Sequence, residues 1–148
     1  MRYFIVMVML GLLTVPSIAD EKHDRAIKDL TGLNDRFNAA AAVGNADALV
    51  DLYSEDTIWI APATPPVQGL EEPRKLFEFV TSNNGSVTHT IDHLFVSEDA
   101  TLAVMIGSVD ARIESAGMEA EGTYLFVLEP EAGDWKIVTD MWQQHKED

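Results

Sequence analysis

Asp140 and Trp142 alternate along the last apolar-rich stretch of the chain, so on an extended strand both side chains leave the same face. An aspartate set among aromatic rings loses its water. That penalises the charged form, raises the pKa and fits the group to serve as a general acid or base near neutral pH. Tyr124, one strand earlier, is the neighbour expected beside this pair. The alternative places Asp140 in solvent or against a partner subunit, with Trp142 filling the interface, because carboxylates are mostly solvated. Trp59 and Tyr53 are expected in a cavity wall, where an aromatic ring packs more often than it contacts ligand.

His89 and His93 lie four residues apart on one predicted strand, Val87 to Val96, and so share a face, with Asp92 on the other. Four strand residues span about 13 Å, too far for two imidazoles to hold one ion without a third element, so structural histidines are expected and no metal site. The sequence carries no phosphate loop and no serine nucleophile of the Gly-x-Ser-x-Gly kind. Asp56 is expected to end a helix, and Lys136 to face solvent between Trp135 and Ile137.

Four strands must position these residues. Val87 to Val96, Thr101 to Ile113, Met118 to Leu128 and Trp135 to Gln143 are rich in β-branched and aromatic residues. Turn chemistry separates them: Ser97-Glu98-Asp99, Ser115-Ala116-Gly117 and the six residues from Glu129 to Asp134, in which Pro130 cannot donate to a ladder. A meander of this kind has one face in need of a cover. Ile27, Leu30, Leu33, Phe37 and Ala41 give a first helix from about Glu21 to Val43, stopped by Gly44, with Gly32 a weak point inside it. Asn45 or Asp47 caps a second, short helix carrying Leu49, Leu52 and Tyr53, which ends near Ser54-Glu55-Asp56. Thr57 to Ile60 and Val67 to Gly69 are short strands around a proline-rich loop. A third helix follows, with Pro73 in its first turn and Leu76, Phe77 and Val80 as its buried stripe. Helices gathered on one side of a mixed or antiparallel sheet make an α+β domain enclosing a pocket.

The 148 residues are one domain's worth of chain, and an apolar content of 47% supports a real core. Residues 1–19 read as a cleaved signal peptide: Arg2, an apolar run from Phe4 to Val15, and small residues at Ser17 and Ala19. The expected product is residues 20–148, a single exported domain, periplasmic or secreted. The absence of cysteine fits a bacterial compartment and excludes disulfides, thiolate metal sites and a cysteine nucleophile. Loss of Arg2 with the signal takes the formal charge from −15 to −16. Such a surface repels phosphate backbones and anionic headgroups, so nucleic acid and the membrane surface are not expected as partners.

The run from Gly44 to Asp56, followed by a strand, Pro62 and then Gln68-Gly69 opening a helix, resembles the nuclear transport factor 2-like superfamily. The ending from Gly133 to Val138 is similar to that superfamily's last strand, and the nearest likeness within it is to SnoaL-like and ketosteroid-isomerase-like small proteins. The resemblance implies a cone: a strongly curved sheet around a cavity closed by three helices, often paired into a homodimer through the outer sheet face. It implies a superfamily of isomerases, cyclases, dehydratases and epoxide hydrolases alongside members that only bind or assemble. In the ketosteroid isomerases a general-base aspartate precedes the proline of the first short strand, and the matching residue here is Ala61. The tyrosine donor of the first helix falls near Phe37, and the second donor near Tyr124.

The loss of polar groups at Ala61 and Phe37 favours a pocket that binds a small hydrophobic molecule, or a dimeric assembly module, without catalysis. The alternative is an isomerase, lyase or hydrolase that uses a pocket carboxylate such as Asp140 as general base. Phe37, Tyr53, Trp59, Tyr124, Asp140 and Trp142 are the expected ligand-binding residues, with no cofactor and no metal.

Overall fold

Ala26, Leu30, Leu33, Phe37, Ala40 and Ala41 recur at three- and four-residue steps, and all six are buried along one side of the first helix, α1 (Ile18–Ala42). The computed structural model describes residues 18–145. Of the expected signal segment only Ile18 and Ala19 fall within that range, as the first residues of α1; the rest lies outside the described residues. The helix runs unbroken through Gly32, and Gly44, at φ +66°, turns the chain out of it. Asn45 then caps α2 (Ala46–Val50), its Oδ1 accepting from the Ala48 N–H at 3.0 Å.

The second helix is shorter than expected. The strand that follows, β1 (Tyr53–Ile60), already includes Tyr53 and the Ser54-Glu55-Asp56 run. Tyr53 therefore stands on a strand and not on a helix, and Asp56 accepts a hydrogen bond from Gln68 on β2 (Val67–Gln68) instead of ending a helix. The third helix, α3 (Glu71–Ser82), buries Pro73, Phe77 and Val80 and is tied to α2 by the Arg74–Asp47 ion pair.

The remaining strands are β3 (Ser86–His89), β4 (His93–Val96), β5 (Ala103–Ile113), β6 (Met118–Glu131) and β7 (Asp134–Gln144). They join β1 and β2 in a curled, unclosed seven-stranded sheet of order β2-β1-β7-β6-β5-β3, with β4 also on β5. Only β1 and β7 run parallel, so the sheet is mixed. The fold is α+β, with the three helices against the concave face and the core between them.

Two sequence expectations are corrected. Pro130 does not end its strand: β6 continues to Glu131, Pro130 lies opposite Trp135, and Ala132-Gly133 alone make the turn. A proline needs only a position where no ladder N–H is called for, and it finds one near the strand end. The strand expected from Val87 to Val96 is two strands. Between them, Thr90 to Asp92 arches over Gly107, while the Thr90 and Asp92 N–H groups still reach the Ser108 and Ile106 carbonyls at 3.0 and 2.9 Å. A Cβ on residue 107 would stand 1.7 Å from the Thr90 oxygen, so only glycine admits this arch.

Candidate active site

Side chains on a strand alternate between faces, and in two strands here an extra residue resets that alternation. Across the β6–β7 ladder, Leu128 pairs with Ile137 and Val127 with Thr139, leaving Val138 unpaired. Trp135 and Ile137 point into the core; strict alternation from them would send Asp140 outward. The bulge at Val138 reverses the parity, so Asp140 and Trp142 join them on the concave side. On the other edge, His89 pairs with Val109 and His93 with Ile106, four steps against three. The two histidines consequently take opposite faces: His89 is 7% exposed in the core, and His93 lies in solvent. Their expected common face is overturned by the same arch over Gly107.

The concave face and helices α1 and α3 enclose a cavity of about 100 Å³. Phe37, Tyr53, Trp59, Tyr124, Asp140 and Trp142 all line it. They arrive on four elements: Phe37 on α1, Tyr53 and Trp59 on β1, Tyr124 on β6, Asp140 and Trp142 on β7. The register places Trp59 opposite Asp140 and Tyr124 opposite Trp142.

Asp140 is 4% exposed. Burial pushes its carboxyl up to about 7, while a hydrogen bond from Tyr53 pulls the other way. The Tyr53 hydroxyl donates to Asp140 Oδ2 at 2.7 Å, and burial with the neighbouring carboxylate holds its own pKa well above the usual value. Tyr53 is thus a fixed neutral donor. Among the described residues no hydrogen bond reaches Asp140 Oδ1, which leaves that oxygen for a bound molecule.

His89, expected only as a structural histidine paired with His93, also lines the cavity. Its backbone is clamped from α1: the His89 N–H donates to Asn38 Oδ1 at 2.8 Å, and its carbonyl accepts from Asn38 Nδ2 at 2.9 Å. Its ring lies between Phe37 and Tyr124, with centroids 4.2 and 4.3 Å away and planes within 24° of parallel. Burial presses its pKa down to about 3, so the imidazole is neutral, and among the described residues Nδ1 has no partner. The Tyr124 hydroxyl is committed to the fold, donating to the Thr90 carbonyl at 2.9 Å. The place of His89 in the cavity wall had one sign in the sequence, its spacing of two from Val87 on the same strand.

Among the described residues the lining contains neither lysine nor arginine. Its ionisable members are Asp140, His89, the two tyrosines and Glu121, which stands exposed at the rim. The arrangement suits transfer of a proton to or from an uncharged molecule, with one carboxyl near half-ionisation at neutral pH inside apolar walls. Among the described residues no three His, Asp or Glu side chains gather to hold a metal ion.

The SnoaL-like domain model matches residues 34–138. Solved structures share the fold at low identity. A putative scytalone dehydratase from Novosphingobium aromaticivorans aligns with a TM-score of 0.70 at 16% identity, over 85% of this chain and 88% of its own. An NTF-2 like protein of unknown function from Shewanella oneidensis gives 0.67 and 18%, over 78% and 97%. A ketosteroid isomerase-like protein from Erwinia carotovora atroseptica gives 0.66 and 16%, over 84% and 99%. No curated protein matches the sequence.

Proposed function

This chain belongs to the SnoaL-like domain family, and from that premise we propose that it is a small-molecule isomerase or lyase in which Asp140 moves the proton. The observation that carries this reading is a single carboxyl buried in the cavity wall, poised near pH 7, with one oxygen held by Tyr53 and the other free. As carboxylate, Oδ1 takes a proton from a carbon beside a carbonyl. As carboxylic acid, it returns the proton to another atom of the same molecule, or to a leaving hydroxyl. Tyr53 fixes the plane of the carboxyl throughout and keeps it from rotating away. Phe37 and Ala61 leave two positions of the ketosteroid-isomerase pattern without polar groups, so the chemistry rests on Asp140 and does not copy that arrangement. The names of two neighbours in fold, one isomerase-like and one a putative dehydratase, lend support of the same kind.

The test is exchange of the α-protons of 2-cyclohexenone in D₂O, followed by NMR, with the parent and Asp140→Asn. Exchange that falls by two orders of magnitude or more in the variant supports the reading. Equal exchange in both sinks it. Binding without exchange in the parent would leave the ligand-binding reading, which the apolar residues at positions 37 and 61 favour.

A homodimer through the outer sheet face is part of the same reading. The outward residues form two cross-strand apolar rows, Met141–Leu125–Ile106 and Val127–Val104–Phe95, with Phe95 61% exposed and, among the described residues, no helix covering them. We also infer export, from the charged, apolar and small-residue pattern of residues 1–19. N-terminal sequencing of the protein recovered from its native host would begin near Asp20.

A further inference from the structure

Along β6 the inward positions between the buried Tyr124 and the exposed Met118 hold the two small residues Gly122 and Ala120. Tyr124 and Gly122 are buried, Ala120 is half-buried and Met118 is 48% exposed. Across the ladder Val109 stands opposite Gly122, and Ala111 opposite Ala120. The residues that face them from α3 are Leu76 and Val80. Small side chains at these positions leave the cavity open toward its rim; a strand of ordinary leucines and valines would close it. From Gly122 to Met118 the strand covers about 13 Å, which sets the length of this apolar channel. Gly122 has a reason of its own, since a Cβ there would stand 2.3 Å from the Gln143 carbonyl oxygen. Ala111 and Ala120 both line the cavity and are half-buried, so their size bears directly on the channel.

The charge of the lining narrows the ligand further. A buried anion needs a cation or a cluster of donors, and among the described residues this lining offers a carboxyl, a neutral imidazole, the single unpartnered indole N–H of Trp142 and no basic side chain. The aromatic rings of Tyr53, Trp59 and Trp142 beside Asp140 suit a flat group at the closed end.

We propose that the ligand is an uncharged molecule with a ring at the Asp140 and His89 end and an aliphatic tail along Ala111 and Ala120, and that these two alanines set the tail length accepted. This deepens the reading of Asp140 as the reactive group, and rests on it for which end of the ligand lies innermost.

The experiment is a binding series with 4-alkylphenols, methyl to hexyl, and the matching 4-alkylbenzoates, read by tryptophan fluorescence from Trp59 and Trp142. In the parent, each added methylene should tighten phenol binding about fourfold until the tail clears the rim. The benzoates should bind at least tenfold more weakly at every length. Ala120→Leu and Ala111→Leu should hold 4-methylphenol as the parent does, yet lose the gain from longer tails. Asp140→Asn should keep the dependence on tail length. That dependence therefore fails or stands by binding alone, whereas the proton-transfer reading fails or stands by exchange. A flat series in the parent, benzoates as tight as phenols, or leucine variants that keep the parent's rise would each overturn the proposal. If both leucine variants unfold, the parent series and the phenol–benzoate comparison decide it.

Discussion

Tyr53 and Asp140 stand 87 residues apart in the chain and meet in a 2.7 Å hydrogen bond from the tyrosine hydroxyl to Oδ2. The parallel pairing of β1 with β7 brings them together, and it is the sheet's one parallel junction. Because the bond favours the ionised carboxylate, it sets how far burial raises the acid's pKa.

Replacing Tyr53 with phenylalanine removes that restraint. The Asp140 pKa should climb above 7, and the limb of any activity that needs the carboxylate should move to higher pH. Stability should fall by about 1–3 kcal/mol at pH 8, where an ionised oxygen loses its donor, and by less at pH 5, where the acid is neutral. Urea unfolding at the two pH values and a carbon-13 titration of the Asp140 carboxyl measure both effects.

The two buried titratable groups tilt stability in opposite directions. Asp140 has a folded pKa near 7 against an ordinary 3.8, so the folded state holds its proton more tightly, and stability is lost as pH rises from about 4 to 7. His89 has a folded pKa near 3 against 6.5, so its contribution is present above pH 6.5 and is lost as pH falls toward 3. In the parent the slopes oppose each other between pH 4 and 6.5. In Asp140→Asn only the histidine slope remains, so stability should rise with pH across that window. The variant's advantage over the parent should grow by a few kcal/mol between pH 4 and 7. A constant difference between the two would refute burial of the acid.

The arch over Gly107 should tolerate no side chain. In Gly107→Ala a Cβ would stand 1.7 Å from the Thr90 oxygen and 2.9 Å from the Tyr124 ring. A loss of about 3 kcal/mol or more is expected, because backbone has to move and the Tyr124–Thr90 hydrogen bond goes with it. Alanine at Asp110, exposed on the same strand, serves as the control in the same denaturation series.

The turn between β6 and β7 holds an opportunity in the other direction. Ala132 sits at φ +50° ahead of Gly133 at +93°, a pair of left-handed residues for which asparagine-glycine is the preferred sequence. Ala132→Asn should stabilise the protein by about 0.5–1 kcal/mol, which for a chain of this size raises Tm by roughly 1–4 °C. Differential scanning calorimetry is sufficient to see it.

Leu125→Lys tests the outer face. Leu125 lies in the middle of the apolar row between Met141 and Ile106 and contributes nothing to the cavity. The parent should sediment as a dimer and the variant as a monomer with an unchanged circular dichroism spectrum. A monomeric parent removes the dimer from the proposal.

The three helices, the last three strands and the family likeness were legible in the sequence, since hydrophobic spacing and turn residues carry them. Strand parity was less accessible. Trp135 and Ile137 mark one set of inward positions, Asp140 and Trp142 another of opposite parity, and both cannot face the core on a regular strand. That contradiction was the visible trace of the bulge at Val138. The arch at Thr90 left a fainter trace, because its cause, Gly107, lies seventeen residues away on another strand. Without it His89 and His93 look like partners, and the stacking of His89 between Phe37 and Tyr124 cannot be foreseen. Pro130 misled for a related reason: its missing N–H ends a ladder only where the neighbour needs that donor.

The bulge at Val138 also bears on how this chain is to be aligned with others of its fold. In a relative whose last strand is regular, the inward residue equivalent to Asp140 lies one position earlier relative to the Trp135–Ile137 pair. An alignment drawn through that strand without a gap at Val138 compares a cavity acid in one protein with an outward side chain in the other. At identities of 16–18% nothing else in the strand would reveal the slip. Equivalent acids in such relatives are to be sought by superposing the sheet, with a one-residue gap placed where the ladder, and not the sequence score, requires it.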